Sequence, residues 1–151
     1  VALFMDDDAE RVRQILDEVQ PTLLQFHGNE SDDWCTQFGR PFLKAIAMGE
    51  GVAALSRLHD YPHAAGLLLD SHAAGETGGS GKTFDWSLLP SGLTQPVILA
   101  GGLHAGNVGD AVRATRAWAV DVASGVESTP GIKDPDKLEA FIRAVRAADR
   151  E

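Results

Sequence analysis

Cysteine, basic charge and long apolar runs are all scarce in this sequence, and each scarcity excludes a class of protein. One cysteine among 151 residues rules out a disulfide framework and favours a reducing compartment, so we expect a cytoplasmic protein. Acidic residues outnumber basic ones by 22 to 13, which argues against a nucleic-acid partner because phosphate-backbone binding needs a basic patch. No apolar run approaches the ~20 residues that cross a bilayer, so no membrane partner is expected.

The remaining composition is that of a globular domain. Hydrophobic residues make up 44% and charged residues 23% of the chain, which suits one domain over residues 1–151 with a real core. The net charge of −9 still allows a small anionic ligand, because helix N-termini and glycine-rich loops bind phosphate without a positive net charge.

Short apolar runs alternate with longer amphipathic ones along the whole chain. The predicted strands are Val1–Met5, Leu23–Phe26, Phe42–Ala47, Gly66–Asp70, Val97–Ala100 and Ala119–Val122. The predicted helices are Ala9–Val19, Ser31–Phe38, Val52–Leu58, a short stretch from Asp85, Asn107–Arg116 and Asp134–Ala148. Strands that alternate with helices indicate right-handed crossovers and a parallel sheet.

The glycines distinguish between two parallel architectures. A doubly wound nucleotide-binding fold would carry glycines after its first strand, where this chain has Asp6-Asp7-Asp8. Here Gly101-Gly102 and Ser124-Gly125 follow the last two strands, and phosphate sites after strands seven and eight are typical of a (βα)8 TIM barrel. We therefore expect an α/β fold with six βα units, strands three to eight of an incomplete barrel.

Six strands cannot close with the tilt and stagger of an eight-stranded barrel. At about 25 residues per unit, roughly 50 residues are expected to be absent before Val1. We expect an open barrel with unpaired first and last strands, which alone would be unstable or partner-dependent, and inactive.

Three polar side chains at the strands are candidates for substrate chemistry. Asp70 ends an apolar strand at the side where barrel active sites lie, and could act as a general acid or merely cap a turn. Gln25 and His27 alternate with apolar residues, so both should point into the barrel, where His27 could touch substrate or bond to backbone. Asp121, inside the last predicted strand, could line the pocket or make a structural hydrogen bond.

Backbone N–H groups at Gly101, Gly102, Ser124 and Gly125 are the candidate phosphate ligands, because no side chain obstructs the approach of an oxyanion to glycine. Residues Val126–Thr129 could add a short helix aimed at the same phosphate. The alternative is that these are ordinary turn glycines.

Four ordered segments resemble the phosphoribosylanthranilate isomerase family. They are Leu24-Gln25-Phe26-His27-Gly28-Asn29-Glu30, the run from Leu68 to Trp86 with Gly78-Gly79-Ser80-Gly81-Lys82-Thr83-Phe84-Asp85-Trp86, Ala100-Gly101-Gly102-Leu103, and Val120–Glu127 followed by Pro130-Gly131-Ile132-Lys133-Asp134. The resemblance implies an Amadori rearrangement of N-(5-phosphoribosyl)anthranilate, a phosphorylated small molecule, in tryptophan biosynthesis. It implies an acid at Asp70, and neither a cofactor nor a metal.

The resembled family uses a cysteine base on its first strand and an arginine after its second, both in the part expected to be absent. Cys35 lies in a predicted outer helix and is interpreted as a packing residue. The segment Ser71–Thr83 is predicted to be an active-site lid. The alternatives are a non-catalytic phosphate-ligand-binding barrel fragment, or a related enzyme such as indole-glycerol-phosphate synthase. The latter would need catalytic lysines at strand ends, where His27, Ala47 and Asp70 stand instead.

Overall fold

The computed structural model describes residues 1–72, 83–90 and 92–150. Six strands form one sheet: β1 Ala2–Phe4, β2 Leu24–Phe26, β3 Phe42–Ala47, β4 Gly66–Asp70, β5 Val97–Ala100 and β6 Ala119–Val120. The α-helices are α1 Ala9–Val19, α2 Asp32–Thr36, α3 Val108–Thr115 and α4 Pro135–Ala148. Three 3₁₀ segments span Met48–His59, Trp86–Leu88 and Ser124–Val126, and β7 Glu127–Thr129 pairs antiparallel with β8 Ile132–Lys133.

The six strands are parallel and lie side by side in chain order, so that β1 and β6 occupy the two edges. The parallel order of the six strands confirms the predicted α/β architecture of six barrel units. The sheet is open, as was also predicted. Register places Ala47, Asp70 and Ala100 at one level, the carboxyl end of the three central strands. Side chains that leave these strand ends therefore meet at one edge of the sheet.

The side chains of the strands alternate between two apolar clusters. Phe26, Phe42 and Leu69 are buried beneath the helices in the main core. On the opposite face a small cluster comprises Ala45, Leu68, Ile98 and Ala100. This alternation is the period-two pattern of β-strands, and it gives that face a thin apolar layer.

Several helix boundaries differ from the sequence prediction. Asp8 and Asp134 cap α1 and α4 by accepting hydrogen bonds from backbone N–H groups. The predicted helix Val52–Leu58 is instead part of the 3₁₀ segment, which is broken at Gly51, where φ is +63°. A glycine in that conformation cannot continue a helix, so the intact helical turns are short.

None of the helices among residues 1–72, 83–90 and 92–150 combines the length and apolar character that crossing a membrane would require.

Candidate active site

A cavity of about 290 Å³ opens at the carboxyl ends of β4, β5 and β6. Six of the eight residues predicted for the site line it: Asp70, Gly101, Gly102, Asp121, Ser124 and Gly125. His72, Leu103 and Glu127 are among its other walls. Residues that are far apart in sequence meet here because parallel strands deliver their following loops to the same edge.

Asp70 is the last residue of β4, and its side chain is 25% exposed. Its Oδ1 accepts a hydrogen bond from the backbone N–H of His72 at 3.2 Å. The same oxygen lies 2.5 Å from Nδ1 of the His72 ring, which also lines the cavity. The carboxyl group is thus fixed by its own chain while it remains open to a ligand.

Gly101 makes room for this carboxyl group. Its φ is +79°, a conformation that L side chains rarely adopt. A Cβ at this position would collide with the backbone and hydroxyl of Ser71 and would lie 2.6 Å from Oδ1 of Asp70. Besides its predicted role toward phosphate, Gly101 therefore allows Asp70 and the β5 loop to pack in contact.

The two predicted phosphate loops also contact each other through a glycine. A Cβ on Gly125 would overlap the carbonyl group of Leu103, whose backbone runs just beyond Gly102. This close approach brings the two loops together at the cavity that both of them line.

The predicted short helix over Val126–Thr129 is wrong. The single helical turn covers Ser124–Val126, and the chain then enters the β7–β8 hairpin. The hairpin turns at Gly131, where φ is +81°, and Lys133 donates to Glu127 at 2.7 Å across it. Cross-strand pairing of this kind extends the chain at the residues that would have formed the helix.

Asp121 lies just beyond β6, which is shorter than the predicted Ala119–Val122. Its N–H donates to the carbonyl of Leu99 at 2.7 Å, and its side chain is exposed at the cavity. Because water reaches it, the carboxylate needs no buried partner. Glu127 also lines the cavity, and its hydrogen bond from Lys133 lowers the pKa of this carboxyl group.

Gln25 and His27 lie outside this cavity. Both are half-buried on the face of β2 opposite the helices, as predicted, and Nε2 of Gln25 lies 2.5 Å from Nε2 of His27. His27 lines a second, smaller cavity of about 120 Å³ with Asp6 and Ala47. Burial lowers the pKa of His27, and the negative charge of Asp70 is the strongest influence in the other direction.

A buried ion pair lies behind His27 and was not predicted from the sequence. Lys44 is fully buried and its Nζ lies 3.3 Å from Oε2 of Glu30. It also donates to the carbonyl of Gly28 at 2.7 Å, while Oε1 of Glu30 accepts from the N–H of Asp6 at 2.8 Å. Burial lowers the pKa of Lys44, and Glu30 opposes that effect.

The remaining sequence predictions concern Cys35 and the lid. Cys35 is fully buried in α2 within the main core, and burial raises the pKa of its thiol to about 12. A neutral thiol in that place packs and does not act as a base, as predicted. The predicted lid Ser71–Thr83 lies outside the described residues from position 73 to position 82.

The sequence profile described as N-(5'-phosphoribosyl)anthranilate (PRA) isomerase matches residues 1–144. The chain belongs to this isomerase family. A relative from Xanthomonas oryzae pv. oryzae, named N-(5'-phosphoribosyl)anthranilate isomerase, is 54% identical over 99% of this chain and 70% of its own length. One of the same name from Pseudomonas paraeruginosa is 50% identical over all of this chain and 72% of its own. The chain's activity is accordingly this isomerisation, a step of tryptophan biosynthesis.

Solved structures of the family share the fold. The Thermotoga maritima phosphoribosylanthranilate isomerase superposes with a TM-score of 0.82 at 31% identity, over 96% of this chain and 71% of that one. The Thermus thermophilus enzyme gives 0.79 at 35% identity, over 96% of this chain and 70% of that one. Another family member, solved with reduced 1-(o-carboxyphenylamino)-1-deoxyribulose 5-phosphate, gives 0.72 at 28% identity, over 96% and 70% of the two chains.

Proposed function

We propose that Asp70 is the general acid of the Amadori rearrangement of N-(5-phosphoribosyl)anthranilate to 1-(2-carboxyphenylamino)-1-deoxyribulose 5-phosphate. The observation that carries the proposal is that Asp70 shares one cavity with both glycine loops. An acid at one wall and anion-binding backbone at another suit a sugar phosphate whose ring oxygen must be protonated.

The glycine loops bind the phosphate in this proposal. The N–H groups at Gly101, Gly102, Ser124 and Gly125 receive it, which leaves the furanose ring near Asp70. Support comes from the relative solved with a reduced product, because that ligand carries a 5-phosphate. Phosphate is a dianion near neutral pH, and the carboxylate of Glu127 opposes it less because Lys133 pairs with it at 2.7 Å.

Asp70 then donates its proton to the ring oxygen. The bond between that oxygen and C1 breaks, the oxygen becomes a hydroxyl group, and the nitrogen lone pair forms the Schiff base. Loss of the C2 proton gives the enol amine, which relaxes to the ketone. The resemblance implies a cysteine base, and Cys35 is buried among core side chains, so we assign the base to none of the residues that the structure describes.

Gln25, His27 and Asp121 are proposed to contact the rest of the substrate. Asp121 lines the same cavity as Asp70, and Gln25 and His27 contact each other beside it, which supports this grouping. We further propose a cytoplasmic enzyme that needs neither cofactor nor metal, with a small phosphorylated molecule as its ligand and no nucleic-acid or membrane partner.

The substitution Asp70→Asn tests the acid. In the polypeptide as its gene encodes it, turnover should fall by at least ~10²-fold, the usual contribution of general acid catalysis, with little change in stability. Steady-state kinetics and thermal unfolding of both proteins measure this. Turnover within a few-fold of the unsubstituted enzyme would refute the role of Asp70.

The binding of inorganic phosphate tests the proposed role of the two glycine loops. In a crystal soaked with phosphate, the anion should lie against the N–H groups of Gly101, Gly102, Ser124 and Gly125. An anion bound elsewhere, with no anion at these loops, would contradict the phosphate assignment. The role of Asp70 would not be affected, because the kinetics of Asp70→Asn test it separately.

A further inference from the structure

His72 contacts Asp70 through two nitrogen atoms, one of the backbone and one of the ring. Its backbone N–H donates to Oδ1 of Asp70 at 3.2 Å, and its ring Nδ1 lies 2.5 Å from the same oxygen. The ring is only 14% exposed and lines the active-site cavity. Two bonds from one residue to one oxygen restrain rotation of the carboxyl group.

Oδ1 is enclosed on its other side by Gly101, where an added Cβ would approach it to 2.6 Å. With Oδ1 held between His72 and Gly101, the oxygen that can present a proton to a ligand is Oδ2. The other ionisable residues at this cavity, within the described part of the chain, are Asp121 and Glu127, both carboxylates. His72 alone among these cavity-lining side chains donates to the acid.

We propose that His72 is a positioning residue for the ring-opening step. The inference rests on the proposed role of Asp70 as acid. The proton passes from Oδ2 to the furanose oxygen, the bond from that oxygen to C1 breaks with its electron pair on oxygen, and Asp70 is left as a carboxylate. The Nδ1–H of His72 donates to Oδ1 throughout, and this bond strengthens when the negative charge forms.

Two substitutions at this position separate hydrogen bonding from packing. His72→Leu fills similar space without a donor, and His72→Asn places an amide N–H where Nδ1 stands. We expect kcat to fall ~10-fold to ~100-fold in His72→Leu, the range for hydrogen bonds to charged groups. KM should change little, and His72→Asn should recover most of the lost turnover.

Nuclear magnetic resonance gives a readout that does not depend on turnover. The Nδ1–H proton of His72 should be visible and strongly deshielded in the unsubstituted protein, and its resonance should move upfield or vanish in Asp70→Asn. Inorganic phosphate should bind His72→Leu and the unsubstituted protein equally. A merely structural histidine would alter the unfolding temperature and phosphate binding and leave the ratio of kcat between the two variants near one.

The outcomes separate the two proposals. If Asp70→Asn is inactive and His72→Leu turns over normally, the positioning role is overturned and the acid stands. If His72→Asn is as impaired as His72→Leu, the hydrogen bond is not the cause and the inference fails. If Asp70→Asn keeps normal turnover, the proposed function itself fails. Should His72→Leu not fold, the comparison of His72→Asn with the unsubstituted enzyme and the Nδ1–H resonance still decide.

Discussion

The carboxyl ends of β4–β6 and those of β1–β3 are built by different means. After β4–β6, the loops touch through glycine backbone, as at Gly101 and Gly125, and the ionisable side chains that line the cavity beside them include Asp70, His72 and Asp121. After β1–β3, Gly28 also packs closely against Asp6, but buried side chains add further bonds, with the pair Lys44–Glu30 reaching the backbone of Gly28 and Asp6. The first region leaves a cavity of about 290 Å³, and the second a cavity of about 120 Å³.

The two kinds of contact have different consequences for the surface that each region offers to a ligand. Glycine contacts keep one wall bare, so that a ligand can reach backbone N–H groups. A buried ion pair instead fixes loop positions in space at the cost of desolvating two charges. The half that faces the proposed phosphate is therefore open, and the half beneath His27 is rigidly cross-linked.

The largest effect is expected from removing one member of the buried pair. Lys44→Met leaves Glu30 charged, 3% exposed and without its cation, which should lower the free energy of unfolding by about 3–5 kcal/mol. Urea denaturation measures this. Arg143→Met, which breaks the exposed pair with Glu139, is the matched control and should cost no more than ~0.5 kcal/mol. Equal effects of the two substitutions would remove the contrast between the two regions.

A substitution at the glycine contact between the loops should affect ligand binding more than a substitution at a nearby glycine whose Cβ would meet only a flexible side chain. A Cβ on Gly125 meets the backbone of Leu103, whereas one on Gly106 meets only the side chain of His104 at 3.2 Å. We expect Gly125→Ala to weaken the binding of inorganic phosphate by ~10-fold or more, equivalent to about 1.4 kcal/mol. Gly106→Ala should leave it unchanged by isothermal titration calorimetry, and a reversed order would show that the loop contact does not shape the site.

A smaller effect is expected from His27. Its pKa in the folded protein is lowered by burial from the ordinary value of 6.5, so the unfolded chain binds the proton more readily. The contribution of neutral His27 to stability should therefore be fully present above pH 6.5. It should be lost as the pH falls from 6.5 through the lower pKa of His27 in the folded protein. His27→Asn should flatten this loss in denaturation curves recorded at several pH values.

His63 provides the control of opposite sign. Its hydrogen bond with Asp32 raises its pKa, so its contribution is present below pH 6.5 and is lost as the pH rises through the folded value. His63→Asn should make the protein relatively less stable in acid. If both substitutions changed the stability below pH 6.5 in the same direction, the burial of His27 would not explain the loss of stability in acid.

The smallest effect on function is expected from Cys35→Ser. The side chain lies in the main core on the helix side of the sheet, so turnover should stay within about twofold of the unsubstituted enzyme. A modest loss of stability, of about 1–3 kcal/mol, would follow from burying a hydroxyl group. Steady-state kinetics on folded protein provides the check, and a large loss of turnover there would place this thiol in the chemistry.

The sequence allowed the β4–β6 half to be predicted better than the β1–β3 half, for a physical reason. Asp70 ends one apolar strand and Gly101 follows the next, and apolar runs indicate where such strands end, although β6 stops two residues before its predicted limit. The ion pair between Lys44 and Glu30 joins residues 14 positions apart in the sequence. A lysine within a predicted strand does not indicate which distant residue it will pair with. The helix expected over Val126–Thr129 failed similarly, because the hairpin depends on pairing between Glu127 and Lys133.

Gly101 ties the geometry of one loop to the chemistry of another. Because Oδ1 of Asp70 and the hydroxyl of Ser71 occupy the volume where its side chain would stand, the loop after β5 cannot be exchanged independently of the end of β4. An engineer who grafts a new β5 loop to change ligand preference must keep a residue without a side chain here or redesign the acid with it. The two strand ends therefore form one module for recombination, and a library that varies them separately would mostly sample proteins with a displaced carboxyl group.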